Sequence, residues 1–189
     1  MIRSIKLVGV GGQGTILAAK VLCDALIDAG YDVKMSEIHG MSQRGGSVSS
    51  EIRFGDNVAS PVIEKGTADI LVAFEQMEAA RFIDYLKSDG LLIVNDLKIN
   101  SMVTLNGKIP YPSNVLNTLK EQVKMVSVDA QKCALKLGNV KTMNIIMLGV
   151  FSKCFEIEGL EIEKAIKNIV KEKYVDLNLK AFKCGQDLV

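Results

Sequence analysis

Apolar positions along the chain change period several times, and each change marks an element. Ser4-Ile5-Lys6-Leu7-Val8-Gly9-Val10 is a short, mostly apolar run that ends in glycines, the pattern of a strand running into a turn. Across residues 15–29, apolar side chains fall at Ile16, Leu17, Val21, Leu22, Ala25, Leu26 and Ala29. That spacing is close to helical period, and Gly30 supplies a stop. Tyr31-Asp32-Val33-Lys34-Met35 alternates and predicts a second strand. A strand–helix–strand opening predicts a parallel sheet covered by helices.

Residues 36–47, SEIHGMSQRGGS, carry three glycines and no apolar period, which predicts a loop. Val48 to Phe54 alternates again and predicts a strand. Asp69 to Phe74 and Gly90 to Asn95 are near-continuous apolar runs, the signature of strands buried on both faces. Glu75 to Leu86, between them, predicts a helix. Residues 98–112 contain Asn106-Gly107 and predict a β-hairpin on the rim of the sheet. Val123 to Val128 predicts a last strand.

From Ala130 the pattern turns helical. Met143 to Phe155 is apolar on every side, which predicts a central core helix rather than an amphipathic surface one. Leu160 to Lys173 places Leu160, Ile162, Ala165, Ile166, Ile169 and Val170 on one face. Asp176 to Gly185 closes the chain. With no linker-like break and no internal repeat, residues 1–189 read as one domain. Its expected class is α/β: a Rossmann-like, largely parallel sheet with helices on both faces, a rim hairpin and a helical C-terminal part.

Composition narrows the function classes. The chain has 189 residues, 48% of them hydrophobic, enough for a real core. Lys plus Arg is 23 and Asp plus Glu is 22, so nothing draws the chain in bulk to nucleic acid or anionic membrane. Aromatics make up 5% and Trp is absent, which argues against base-stacking platforms. The N-terminus lacks signal-peptide character and no run approaches the ~18 apolar residues of a membrane span; a cytoplasmic protein is expected. Cys23, Cys133, Cys154 and Cys184 lie far apart. No iron–sulfur or zinc spacing exists, so they read as buried, reduced thiols, and any redox metal belongs on another chain.

Gly9-x-Gly11-x-x-Gly14, with Gly12 and Gln13 inside it, has the spacing of a dinucleotide-binding turn. Such a turn offers backbone N–H groups and a helix N-terminus to an anion. The nicotinamide version also needs an acid about 20 residues on, for the ribose. That position is Lys34; Asp32 precedes it and Glu37, the better placed acid, follows. Gln13 also puts a long side chain where such turns favour a smaller one. Three readings stay open: close strand–helix packing only, NAD or FAD binding, or another phosphate or cofactor role.

The loop after the second strand lies at the same carboxyl edge, where ligands of such sheets collect. It offers Glu37, His39, Gln43, Arg44, Gly45 and Gly46. Arg44 has a guanidinium fork suited to a phosphate or carboxylate, and the paired glycines allow close approach to a partner. His39 is the only histidine. With no GxSxG elbow and no activated nucleophile, no catalytic residue is assigned. No metal ligand is assigned either.

GVGGQG, SEIHGMSQRGGSV and the C-terminal Asn178-Leu179-Lys180-Ala181-Phe182-Lys183-Cys184-Gly185 together resemble the small, gamma-type subunit of the 2-oxoacid:ferredoxin oxidoreductases. The HGMSQRGG core resembles the indolepyruvate:ferredoxin oxidoreductase beta-subunit branch, and the resemblance runs from Ile5 to Gly185. It implies a subunit of an oxidoreductase that acts on oxo groups of anaerobic metabolism. Such a complex decarboxylates a 2-oxoacid, an aryl pyruvate in this branch, to acyl-coenzyme A with ferredoxin as acceptor. It also implies that thiamine diphosphate, magnesium and iron–sulfur clusters sit on the large (alpha) subunit, with coenzyme A as co-substrate and no cofactor held tightly here. The isolated chain is then inactive, and whether it self-associates is open. A stand-alone NAD/FAD-binding protein and a purely structural assembly subunit are the competing classes.

Overall fold

The computed structural model describes residues 1–39, 45–100, 102–107 and 109–189, without the side chains of His39, Met102 and Val103. Among these residues lie the strands β1 (Arg3–Val10), β2 (Asp32–His39), β3 (Ser47–Gly55), β4 (Ala68–Ala73), β5 (Leu86–Asn95) and β6 (Lys124–Val128). The helices are α1 (Thr15–Asp28), α2 (Gln76–Phe82), α3 (Met102–Leu105), α4 (Val115–Gln122), α5 (Ala130–Lys136), α6 (Met143–Cys154), α7 (Ile162–Ile169) and α8 (Val175–Gln186).

The strands form one sheet in the order β2-β3-β1-β4-β5-β6. β1, β4, β5 and β6 pair in parallel, while β3 runs antiparallel to both β1 and β2. The α/β class and the mostly parallel sheet stand as expected. The local order differs, because β3 is inserted between β1 and β2. β2 therefore continues through Ser36 to His39, where a loop was expected. Its polar residues are tolerated because it is an edge strand, only half covered.

One face of the sheet packs on α1, α5, α6, α7 and α8 through Ile5, Leu7, Ile52, Ile70, Val72 and Ile93. The other packs on α2 and α4 through Val8, Leu71, Leu92 and Val94. α6 is the central core helix that its uniform apolarity predicts: every residue from Asn144 to Phe151 is buried. It touches α8 backbone to backbone. A Cβ on Gly149 would lie 2.2 Å from Phe182 O, and one on Gly185 would lie 2.0 Å from Ile146 O. Gly185 of the third sequence motif is thus a packing requirement.

Three expectations are corrected. Residues 98–112 form no hairpin among the described residues: α3 occupies part of the segment, and the Asn106-Gly107 turn closes that helix through Gly107 N–H to Thr104 O, 3.0 Å. A turn signal had no flanking strands to join. The helix expected over 160–173 ends at Ile169, where Val170 turns extended (ψ 139°). Cys133 and Cys184 are joined in a disulfide between α5 and α8, leaving Cys23 and Cys154 free. Among the described residues no helix is long and apolar enough to cross a membrane.

Candidate functional site

β1 and β4 are neighbours whose following helices cross to opposite faces, so their carboxyl ends form the switch point of the sheet, the usual ligand position. The glycine turn lies there, and its own side chain fills it. Gln13 Oε1 accepts from Val10 N–H at 2.7 Å, and Gln13 Nε2 donates to Phe74 O at 2.8 Å. Gly9 makes the room: a Cβ at that position would sit 2.8 Å from Gln13 Oε1. Gly14, at φ +79°, caps α1 in a conformation that disfavours other residues. Asn144 of α6 donates to Gly14 O at 3.1 Å.

The hydrogen bonding continues along the edge. Phe74 O also accepts from Asn95 Nδ2 at 3.2 Å, and Asn95 Oδ1 accepts from Ala130 N–H at 3.0 Å. Carboxamides thus tie together the ends of β1, β4 and β5 and the start of α5.

The turn is also clasped from outside. Gly11 N–H donates to Gly46 O at 2.8 Å, and Gly45 N–H returns a longer bond to Gly11 O at 3.4 Å. Gly45 takes φ +78° to do so. The two glycine motifs singled out in the sequence are therefore parts of one structure. Next along the chain, the Ser47 hydroxyl donates to the buried Glu78 carboxylate, which also takes Arg81 Nε at 3.1 Å.

A dinucleotide pyrophosphate does not fit this arrangement. The Gly11 N–H that it would need is spent on Gly46 O, and a carbonyl lone pair faces where phosphate oxygens would lie. The ribose acid fails as well. Glu37 stands on β2, two strand spacings or roughly 10 Å from β1, because β3 intervenes. Glu37 pairs with Ser50 across β2–β3 and faces α1. Among the described residues, its Oε1 and the Ser50 hydroxyl are buried without a partner. The Cys23 thiol is pushed up to about 12, first by burial and then by the Glu37 charge.

Of the sequence candidates, the structure brings together Gly9, Gly11, Gly12, Gln13, Gly14, Gly45 and Gly46 at one edge. Glu37 lies away from them. The backbone of His39 ends β2 opposite Val48. Gln43 and Arg44 lie outside the described residues. Sequence reasoning missed Glu75, Glu78, Asn95 and Asn144. Glu75, only 1% exposed, holds the rim by accepting from Glu78 N–H (3.0 Å), Ile99 N–H (3.2 Å) and the Tyr111 hydroxyl (2.5 Å). Polar residues that end the apolar runs at Phe74-Glu75 and Val94-Asn95 were the available signal. Among the described residues no group of three or more His, Cys, Asp or Glu could hold a metal ion.

The sequence profile of the family described as "Pyruvate ferredoxin/flavodoxin oxidoreductase" matches residues 4–188. The chain is 39% identical to the indolepyruvate oxidoreductase subunit IorB of Pyrococcus horikoshii, covering 96% of this chain and 93% of that protein. It is 38% identical to the subunit of the same name from Thermococcus kodakarensis, with the same coverage. The solved gamma subunit of the keto/oxoacid ferredoxin oxidoreductase of Geobacter sulfurreducens is similar in structure. It superposes with a TM-score of 0.71 at 27% identity, over 98% of this chain and 96% of that one.

Proposed function

The chain belongs to the pyruvate ferredoxin/flavodoxin oxidoreductase family, and we propose that it is the small subunit of an indolepyruvate-type 2-oxoacid:ferredoxin oxidoreductase. It completes the active site of a large subunit that holds thiamine diphosphate, magnesium and iron–sulfur clusters. The complex oxidises an aryl pyruvate to acyl-coenzyme A and passes electrons to ferredoxin. The observation that carries this reading is the clasp of Gly11 on Gly46. The glycine turn spends its donors on holding the second motif at the sheet edge, as an interface-forming subunit requires and a self-sufficient dehydrogenase does not. The named relatives, at 38–39% identity over nearly their whole length, support the indolepyruvate assignment.

In this reading, Gly45 and Gly46 anchor the segment carrying Gln43 and Arg44 to the rim that meets the large subunit, with Arg44 gripping a coenzyme A phosphate, a substrate carboxylate or an acid of the large subunit. The backbone of His39, opposite Val48, holds the other end of that segment to the sheet. The test is reconstitution. The chain alone, the large subunit alone and their mixture are supplied with indolepyruvate, coenzyme A and a viologen dye. Dye reduction is expected only in the mixture, and faster with aryl than with short alkyl 2-oxoacids. Dye reduction by the chain alone would end this reading.

A further inference from the structure

A cleft of about 550 Å³ opens beside the first turn of α1, bounded by the turn Val140–Thr142, the end of α7 and the start of α8. Leu17, Val170 and Leu177 give it an apolar lining, and Lys141 and Lys171 stand with them. None of its lining residues is acidic. The lysine ion pairs among the described residues belong to Lys6, Lys34, Lys65, Lys87, Lys164 and Lys183 instead. The apolar lining continues onto the surface through Ile169, 38% exposed, Tyr174, 44% exposed, and the adjoining Val140, 44% exposed. The chain as a whole is nearly neutral, at +1, so this cationic character is local.

Another cleft, about 660 Å³ between α6, α7 and α8, differs. It mixes Glu156, Glu161 and Glu163 with Lys153, Lys164 and Lys167, which leaves no net field to select a partner.

We propose that the cleft beside α1 is a docking surface for an acidic segment of the large subunit that inserts an apolar side chain between Tyr174 and Leu17. Exposed aromatic and aliphatic groups next to unpaired cations are the composition of a binding hot spot, and the uncompensated lysines select an anionic partner. A second copy of this chain would bring the same lysines against themselves. Position supports the assignment. Leu17 is three residues beyond Gly14, and α6, whose Asn144 holds Gly14, starts at the cleft wall. Asn178, which opens the third sequence motif, is 8% exposed and ties α8 to Tyr174 O at 2.8 Å. The motif thus builds the wall of the cleft.

This inference rests on the proposed function, and one binding experiment separates the two. Affinity of the chain for its large subunit is measured by biolayer interferometry at low and high salt. Wild type is compared with Lys141→Glu/Lys171→Glu, with Tyr174→Ala, and with Lys153→Glu/Lys167→Glu as a control of equal charge change on the other cleft. The four lysines and Tyr174 altered in these variants are all exposed, so melting temperatures should not move. Expected is a loss of affinity of about tenfold or more for the cleft variants, a shallower salt dependence for the double reversal, and wild-type binding for the control. Equal loss in the control, or no loss at the cleft, overturns the docking surface while leaving the proposed function standing. Failure of wild type to bind the large subunit overturns both. If Lys141→Glu/Lys171→Glu assembles normally but the chain alone loses affinity for indolepyruvate, the cleft holds a small organic anion instead. Wild-type self-association abolished by Tyr174→Ala would assign it to a second copy.

Discussion

Lys6 Nζ lies 2.5 Å from Glu51 Oε1 across the β1–β3 pairing, with both side chains out of water. The lysine also sits 4.0 Å from the Tyr85 ring centroid, and Glu51 Oε2 accepts from Ile63 N–H at 3.0 Å. The pair therefore pins the reversed strand β3 to β1 and the segment after it to the sheet. Removing one partner leaves a buried uncompensated charge. Glu51→Ala and Lys6→Ala should each destabilise by about 3–5 kcal/mol, whereas Lys6→Met/Glu51→Leu should recover most of that loss. Urea denaturation of the three variants checks it; a double variant no better than the singles would refute the account.

Gln13 can be tested apart from the glycines. Gln13→Ala strips a partner from Val10 N–H and one of two from Phe74 O, and should cost about 1–3 kcal/mol in stability. If the clasped edge meets the large subunit, the reconstituted complex should also lose turnover at a temperature where the variant is still folded. A variant as stable as wild type would show that the carboxamide bridge is incidental.

For the α6–α8 contact the expected outcome is severe. Gly185→Ala puts a methyl group against Ile146 O, and neither backbone has room to yield. A loss of about 2–3 kcal/mol or more is expected, read as a lowered chemical-denaturation midpoint. A change within about 0.5 kcal/mol, the range of an ordinary surface substitution, would mean that the helices separate freely.

Tyr111 keeps its proton to unusually high pH, because burial and then the Glu75 carboxylate that accepts its hydroxyl both oppose ionisation. In the unfolded chain the phenol ionises near pH 10. Its contribution to stability is whole below that pH and falls as pH climbs past it toward the raised native value, since only the unfolded chain then releases the proton. Urea midpoints measured between about pH 9 and 11 should decline more steeply for wild type than for Tyr111→Phe. Parallel declines would count against the coupling to Glu75.

Arg44→Lys keeps the charge and loses the bidentate fork. In the reconstituted complex it should melt as wild type does yet turn over more slowly. The expected scale is ~1–3 kcal/mol for a charge-assisted hydrogen bond, or roughly tenfold to a hundredfold in rate. Arg44→Ala that matches wild type at sub-saturating coenzyme A and 2-oxoacid would leave this arginine as surface charge.

The elements that could be read from sequence are those whose pattern is local. β1, α1 and α6 declare themselves through period and glycine punctuation, and the Gly9–Gly14 turn through its spacing. What escaped depends on contacts between distant residues. Nothing near Val48 to Phe54 says that this strand is reversed and wedged between β1 and β2. Lys6 in an apolar run looks like an exposed residue until Glu51, 45 positions away, is seen opposite it. The Cys133–Cys184 bond spans 51 positions. Gln13 was visible as an oddity in the turn, but its role follows only from Phe74 O, which belongs to another strand.

The reversed strand changes what can vary in this fold. In a sheet with helical crossovers, altering the carboxyl-edge loop after the second strand also disturbs the helix that it feeds. Here β2 returns directly into β3, and the connection is secured at its base by His39 opposite Val48 and by Gly46 on Gly11. Both fastenings lie outside residues 40–44, so exchanging those five residues for the ones a related chain carries is expected to leave the β2–β3 pairing in place.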